Sequence, residues 1–215
     1  MKNFFLSIAD FIYRKRCFIC SDSKENKRLC SKCFDKIEFL SLQINRAVLG
    51  KRVYCVCEYE GVIRQIIRNI KYHNQKELAY YEAKILFNYW KKVNHEDKKY
   101  IIVPVPLSKE RLKKRKYNQV EVVAQELCKM TGYEVNTKLV ERIRNTKPQY
   151  DLTRKQRLEN LKDDFKINIE NYNNEPILLL DDVCTTGATF ESIIKEFAKH
   201  NIDDITCLAA ATPVK

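Results

Sequence analysis

The stretch Ile177-Leu178-Leu179-Leu180-Asp181-Asp182-Val183-Cys184-Thr185-Thr186-Gly187-Ala188-Thr189 constrains the fold more than any other part of the chain. An unbroken aliphatic run with no polar alternation predicts a strand covered on both faces, as in the middle of a parallel sheet. The run stops at two carboxylates, and a Thr/Gly loop then leads into a helical pattern over Gly187–Lys199. Open parallel sheets bind ligands beyond the carboxyl ends of their strands. A loop entering a helix at that edge aims free backbone N–H groups at an anion, helped by the helix dipole. The threonine hydroxyls add donors, and Gly187 lets the backbone approach closely. The two acids repel a phosphate but suit sugar hydroxyls or a divalent cation. A phosphate cradle beside a hydroxyl clamp describes a ribose 5-phosphate site.

The rest of the chain supplies a matching framework. Strands are predicted at Tyr54–Tyr59, Tyr100–Val105, Ile177–Leu180 and Ile205–Ala211. Between them lie helical patterns: Gly61–Tyr72 with Ile63, Ile66, Ile67 and Ile70 on one face, Gln75–Val93, and Tyr117–Met130 with Val120, Val123, Ala124 and Leu127. This alternation predicts an α/β domain, a parallel sheet with helices on both faces. Arg142–Asn168 interrupts it with a polar, basic, weakly periodic segment, expected to be a loop or lid over the site. A chain of 215 residues accommodates one full-sized domain and a small appendage. The expected division is an N-terminal helix and metal-binding module over 1–45 and the α/β domain over 46–215.

The appendage is marked by cysteines. Of nine in the chain, four form two CxxC pairs, Cys17/Cys20 and Cys30/Cys33, nine residues apart. Two thiolates on one tight turn share a metal, and a second such turn completes a tetrahedral sulfur site of the kind Zn²⁺ takes. Arg14, Lys15, Arg16, Lys27, Arg28 and Lys32 offset the double negative charge of a four-thiolate zinc centre. The other readings are disulfides, disfavoured in a reducing compartment, and a redox CxxC, which needs no twin. Cys55 and Cys57 fall in a strand pattern and read as buried packing or a further metal site. Cys128 and Cys207 read as small core residues.

The net charge of +12 points to an anionic partner, against the plainer reading of a lysine-rich solvated surface. Six of the eight residues Lys109–Lys116 are basic: Lys109, Arg111, Lys113, Lys114, Arg115 and Lys116. Tyr13, Tyr72, His73, Tyr117 and Tyr150 stand near basic residues, as base-stacking side chains do in single-strand binders, although most tyrosines serve core or rim. No apolar run approaches the ~20 residues of a membrane span. The N-terminal stretch has Asp10 among its apolar residues and lacks a small-residue cleavage site, so a secretory signal is not expected. Phe4, Ile8, Phe11 and Ile12 share one face of a predicted helix. The protein is expected in the cytoplasm.

The loop Asp181–Thr189 resembles the phosphoribosyl pyrophosphate (PRPP) fingerprint of the type I phosphoribosyltransferases. More narrowly, the chain is similar to the ComF family, competence-associated proteins that join a four-cysteine zinc module to a phosphoribosyltransferase domain. The matching stretches are the cysteine quartet, Arg68–Tyr72, Val103–Pro106, Arg115–Gln119, Arg142–Gln149, Arg157–Asn160 and the PRPP loop. The resemblance implies a type I phosphoribosyltransferase-like fold, with Asp181 and Asp182 on the ribose hydroxyls and Val183, Cys184, Thr185, Thr186, Gly187, Ala188 and Thr189 around the 5′-phosphate. Leu107 and Ser108, after a strand ending at Pro104 and Pro106, lie where pyrophosphate would sit, with Lys71, Arg115 and Arg144 as candidates to neutralise it. Cofactors implied are structural zinc and Mg²⁺ with PRPP.

The implied role is handling of incoming single-stranded DNA in natural transformation, in the cytoplasm and at the inner face of the membrane. The implied partners are PRPP, single-stranded DNA and a DNA-uptake helicase or other competence protein. The alternative is an active Mg²⁺-dependent phosphoribosyltransferase on a base or amine acceptor, with Asp181, Asp182, Lys71 and Arg115 as its catalytic groups. Two positions depart from the family patterns. Thr185 stands where transferases that salvage 6-oxopurines carry an aspartate, so hypoxanthine and guanine are not expected acceptors. Lys116 stands where the ComF pattern has glycine.

Overall fold

The computed structural model describes residues 14–42, 45–94, 98–143 and 164–213. The chain divides into two compact units, Met1–Glu38 and Phe39–Lys215. The stripe Phe4, Ile8, Phe11 and Ile12, together with Tyr13, Arg144, Tyr150 and Arg157–Asn160, lies outside the described residues.

In the first unit the two CxxC segments form tight turns. The Ser21 N–H donates to Cys17 O, and the Cys33 and Phe34 N–H groups both donate to Cys30 O. The second turn runs into a single helical turn, α1 (Ser31–Phe34). Glu25 anchors its start by accepting from the Ser31 N–H and hydroxyl. Among the described residues of this unit, Leu29 and Ile37 are the only buried apolar side chains besides cysteines.

The second unit is a six-stranded sheet flanked by helices. Its elements run β1 (Asn45–Val48), β2 (Lys51–Glu58), α2 (Gly61–Tyr72), a 3₁₀ turn at Lys76–Leu78, α3 (Ala79–Val93), β3 (Ile101–Pro104), α4 (Lys109–Arg115) and α5 (Gln119–Thr131). They continue with β4 (Glu134–Val135), β5 (Val140–Arg142), β6 (Phe165–Ile167), β7 (Ile177–Val183), α6 (Ala188–Ala198) and β8 (Ile205–Thr212). The sheet order is β1-β2-β8-β7-β3-β4, parallel except for the β1–β2 hairpin pair. The aliphatic run Ile177–Leu180 is fully buried at its centre, as a strand covered on both faces must be. Ile177 and Leu179 join one core with Phe190, Ile193, Ile194 and Phe197 of α6. α2, α3 and α5 pack against each other and on the sheet, and none of their residues belongs to that core. The buried residues of α2 are Val62, Ile63, Ile66, Ile67 and Ile70, the spacing of one helical face.

The main strands and helices form where the patterns predict them, with ends shifted by a few residues. The 3₁₀ turn takes up the start of the predicted Gln75–Val93 helix. The segment Arg142–Asn168 differs more. Its described ends are β-strands: β5 and β6 pair antiparallel with Arg142 opposite Phe165, and Arg142 forms a buried ion pair with Asp164 at 3.3 Å. Three-residue strands lack enough alternation to stand out from a basic loop. Lys109–Arg115, a charge run by sequence, folds as helix α4 capped by Ser108.

Strand order places the functional edge. After β3 the chain turns through α5 to β4 on one side, whereas after β7 it turns through α6 to β8 on the other. The carboxyl ends of β3 and β7 therefore flank the topological switch point, where such sheets leave a crevice.

Candidate ribose-phosphate crevice and four-cysteine centre

Two loops meet at the switch point. One follows β3 and contains Val105, Pro106, Leu107 and Ser108; the other follows β7 and leads into α6. The Val105 N–H donates to Leu180 O at 2.8 Å, which continues the strand pairing to the crevice edge. In the β7 loop Gly187 has φ +82°, a left-handed conformation that L side chains rarely adopt. A Cβ there would stand 3.0 Å from Val48 Cγ2. The Gly187 carbonyl accepts from the Glu191 N–H and so opens α6. Strand β1 supports the loop again through Arg46, whose guanidinium donates to Thr185 O at 2.8 Å. Cys184 is buried. Its hydrogen bond to Cys55 and its burial raise its pKa far above the ordinary thiol value, so it fills the loop and is not an activated thiol.

The acids are held unequally. Asp181 accepts from the Asp182 N–H at 2.8 Å. Asp182 is only 5% exposed, and both its oxygens are engaged: Oδ1 by Lys71 Nζ at 2.8 Å and Oδ2 by Gln119 Nε2 at 2.7 Å. Gln119 Oε1 in turn accepts from Arg115 at 2.7 Å. Burial, then the charge of Asp182, push the Asp181 pKa up to about 7. Burial opposes the charge on Lys71, but Asp182 outweighs it and holds the ammonium above the usual lysine range. Glu82, 2% exposed on α3, lies in the field of the same groups; burial and Asp182 raise its pKa well above the carboxylate range.

The structure therefore brings Lys71, Arg115, Asp181 and Asp182 to one network. Leu107 and Ser108 come to the neighbouring strand end, with the Ser108 hydroxyl accepting from the Arg111 N–H at 3.4 Å as the cap of α4. Lys109, Arg111, Lys113, Lys114, Arg115 and Lys116 form α4 and its cap, and none of the α4 residues is buried. Lys116 adopts φ +67°, closing α4 with its N–H on Leu112 O. It keeps the left-handed turn that a glycine takes without strain, at a cost of ~1 kcal/mol. Lys116→Gly is expected to raise stability by about 0.5–1 kcal/mol, read from the denaturation midpoint; a loss of stability would contradict this account. Tyr72 is 57% exposed, with the guanidinium groups of Arg68 and Arg115 at 5.8 and 5.1 Å from its ring. Tyr117 is half-buried and its hydroxyl donates to Ile70 O.

Glu82 and Arg46 were not singled out by sequence, and Gln119 entered only as the end of the matching stretch Arg115–Gln119, with no role of its own. Glu82 did carry a signal, a carboxylate on the stripe Ala79, Ala83, Leu86 that is otherwise apolar. Asn118 and Gln119 open α5. Asn118 accepts from the Val120 N–H and donates to Val105 O, which ties the helix start to the β3 loop. For Arg46, 139 residues from its partner, no local signal exists.

In the first unit the Sγ atoms of Cys17, Cys20, Cys30 and Cys33 all lie within 4.8 Å of one another, with Cys20 and Cys30 3.7 Å apart. Four sulfurs bound tetrahedrally at ~2.3 Å from a common ion stand about 3.8 Å apart. A disulfide requires ~2.05 Å, and all four thiols are free. The cluster is compatible with a metal such as zinc. Cys55, Cys57 and Cys207 are buried, whereas Cys128 is half-buried. No helix among the described residues is long and apolar enough to cross a membrane.

No protein-family model matches the chain. It is 26% identical over 199 residues to competence protein F of Haemophilus influenzae, covering 88% of this chain and 86% of that protein. It is 25% identical over 185 residues to DNA utilization protein YhgH of Escherichia coli, covering 82% and 81%. With competence protein ComFC of Bacillus subtilis it shares 26% identity over 175 residues, covering 80% and 67%. Similarity along four-fifths or more of the chain to proteins so named, with a four-cysteine cluster ahead of a mostly parallel α/β sheet, supports the resemblance of this chain to the ComF family.

Proposed function

We propose that this protein serves natural transformation by handling incoming single-stranded DNA in the cytoplasm, and that its crevice binds PRPP with Mg²⁺. The names of its relatives, competence protein and DNA utilization protein, support the first half. The second half rests on one observation: acids, loop and cations converge at the switch point between β3 and β7. Asp181 faces the sugar side. The backbone of Cys184–Thr189 leads into the α6 N-terminus, where N–H groups suit the 5′-phosphate. Lys71 and Arg115 supply positive charge for the pyrophosphate, and Mg²⁺, when bound, neutralises more of it. Zn²⁺ is the structural metal of the cysteine quartet.

The DNA surface follows from α4 and its neighbours. Its exposed basic residues suit a phosphate backbone, and the Arg68–Tyr72–Arg115 stack offers an exposed ring to a base.

Calorimetric titration with PRPP and Mg²⁺ tests the crevice. Wild-type binding is expected, and its loss in Asp181→Ala/Asp182→Ala. A folded wild type that takes up no PRPP would remove that half of the reading. For DNA, affinity for an oligothymidylate is expected to fall linearly in log–log form with salt. Lys113→Glu/Lys114→Glu/Lys116→Glu should flatten the slope by about two to three units. A flat wild-type response would remove the DNA half. Pyrophosphate release that depends on an added base or amine would make the protein a transferase.

A further inference from the structure

The resemblance to phosphoribosyltransferases puts both acids on the ribose, but the hydrogen bonds in the crevice separate them. Asp182 spends one oxygen on Lys71 and the other on Gln119, at 2.8 and 2.7 Å. Gln119 is 4% exposed and is itself used at both ends, its Oε1 on Arg115 and its Nε2 on Asp182. That pairing fixes the amide orientation, because only the nitrogen can donate to a carboxylate and only the oxygen can accept from a guanidinium. Arg115 is held at a second point by the Tyr72 ring. The result is a continuous chain, Lys71–Asp182–Gln119–Arg115, with a cation at each end. Asp181 stands outside it. Among the described residues its one hydrogen-bond partner is the Asp182 N–H, and the side chain is less buried than that of Asp182.

Resting on the PRPP reading above, we infer that the acids divide the work: Asp181 contacts the ribose hydroxyls, while Asp182 and Gln119 are positioning residues that hold Lys71 and Arg115 at the pyrophosphate end. The physical case is one of access. Asp182 is 5% exposed and each of its oxygens is already covered by a donor, Lys71 on one and Gln119 on the other, so a sugar hydroxyl reaches its remaining lone pairs poorly. Asp181 has the oxygen to offer. Arg115, on a half-exposed turn, would otherwise wander over many rotamers; the buried Gln119 holds its fork in one place before a ligand arrives, which lowers the ordering cost of binding. Gln119 thereby joins the site without touching a ligand.

The experiment compares three probes by calorimetry: PRPP with Mg²⁺, pyrophosphate with Mg²⁺, and ribose 5-phosphate. Gln119→Leu is expected to weaken pyrophosphate by about tenfold, the equivalent of one hydrogen bond, and to leave ribose 5-phosphate within twofold. Arg115→Gln, at a half-exposed position that tolerates replacement, should act in the same direction. Asp181→Asn should reverse the pattern, weakening ribose 5-phosphate and sparing pyrophosphate, and PRPP should weaken in all three variants. Equal loss of both half-ligands in Gln119→Leu and Arg115→Gln would overturn the inference, as would an Asp182→Asn variant that loses ribose 5-phosphate as fully as Asp181→Asn. Those failures leave the PRPP reading intact. A wild type that binds none of the probes overturns the PRPP reading, and the division of labour with it.

Discussion

Cys33→Ser is expected to release the metal of the first unit and to unfold residues 17–38, while the six-stranded sheet keeps its far-UV signature. Cys33 is buried beside Cys17 and Cys30, within reach of all three other sulfurs. Serine offers a hard, mostly protonated hydroxyl in place of a thiolate, and a tetrahedral sulfur site does not tolerate the exchange. Among the described residues of the unit nothing else can take over. Leu29 and Ile37 contribute about 1.5–3 kcal/mol each on burial, whereas a structural zinc supplies on the order of 10 kcal/mol of folding free energy. Two measurements check this: zinc released on thiol modification, expected to be one per chain in the wild type and none in the variant, and limited proteolysis within residues 17–38. A variant that keeps one zinc per chain, or stays protected after chelation, would contradict the assignment.

Lys71→Met is expected to cost about 3–5 kcal/mol of stability, the usual penalty for removing one partner of a buried ion pair. Both side chains are largely shielded, with 15% of Lys71 and 6% of Asp182 accessible, and their atoms meet at 2.8 Å. Methionine preserves most of the packing volume, so the loss is electrostatic: Asp182, Asp181 and Glu82 are left without their buried cation. The effect should depend on pH in one direction. The Asp181 pKa stands near 7 in the fold, above its ordinary value, and that of Glu82 is also raised. Across the interval between ordinary and raised values the folded protein holds protons that the unfolded chain releases, so stability falls as pH rises through about 4 to 7. Removing Lys71 pushes those values higher still. The deficit should therefore be larger at pH 8 than at pH 5, as read by urea denaturation at the two pH values. Adding Asp182→Asn to Lys71→Met should recover part of the loss, as expected for directly coupled groups. A deficit that is the same at both pH values, or is unchanged by the second substitution, would refute the electrostatic account.

These predictions draw on different levels of information. The cysteine quartet and its spacing are local, and the chain brings the four sulfurs together much as two CxxC turns must. The same holds for β7 and α2, whose residue periods specify strand and helix before any partner is known. The strand, loop and helix around Asp181–Thr189 were also legible, because an aliphatic run, two acids and a Gly-containing helix entrance are contiguous in sequence. Short edge strands were not: β4, β5 and β6, with two or three residues each, carry too few positions for a period to emerge.

What lay beyond local reading is the wiring of the crevice. Lys71 and Asp182 are 111 residues apart, Gln119 and Asp182 63, and Arg46 and Thr185 139. Period and composition say that a residue is polar and near an element's end, but they do not say what it will meet. That depends on strand order, which sets β3 beside β7 and so brings the start of α5, the end of α2 and the β7 acids to one edge. The sequence could show two adjacent carboxylates. Which of them would be engaged on both oxygens, by a lysine and a glutamine amide, was decided only when the sheet closed around them, because a hydrogen bond needs its partner within about 3 Å and only packing supplies that distance.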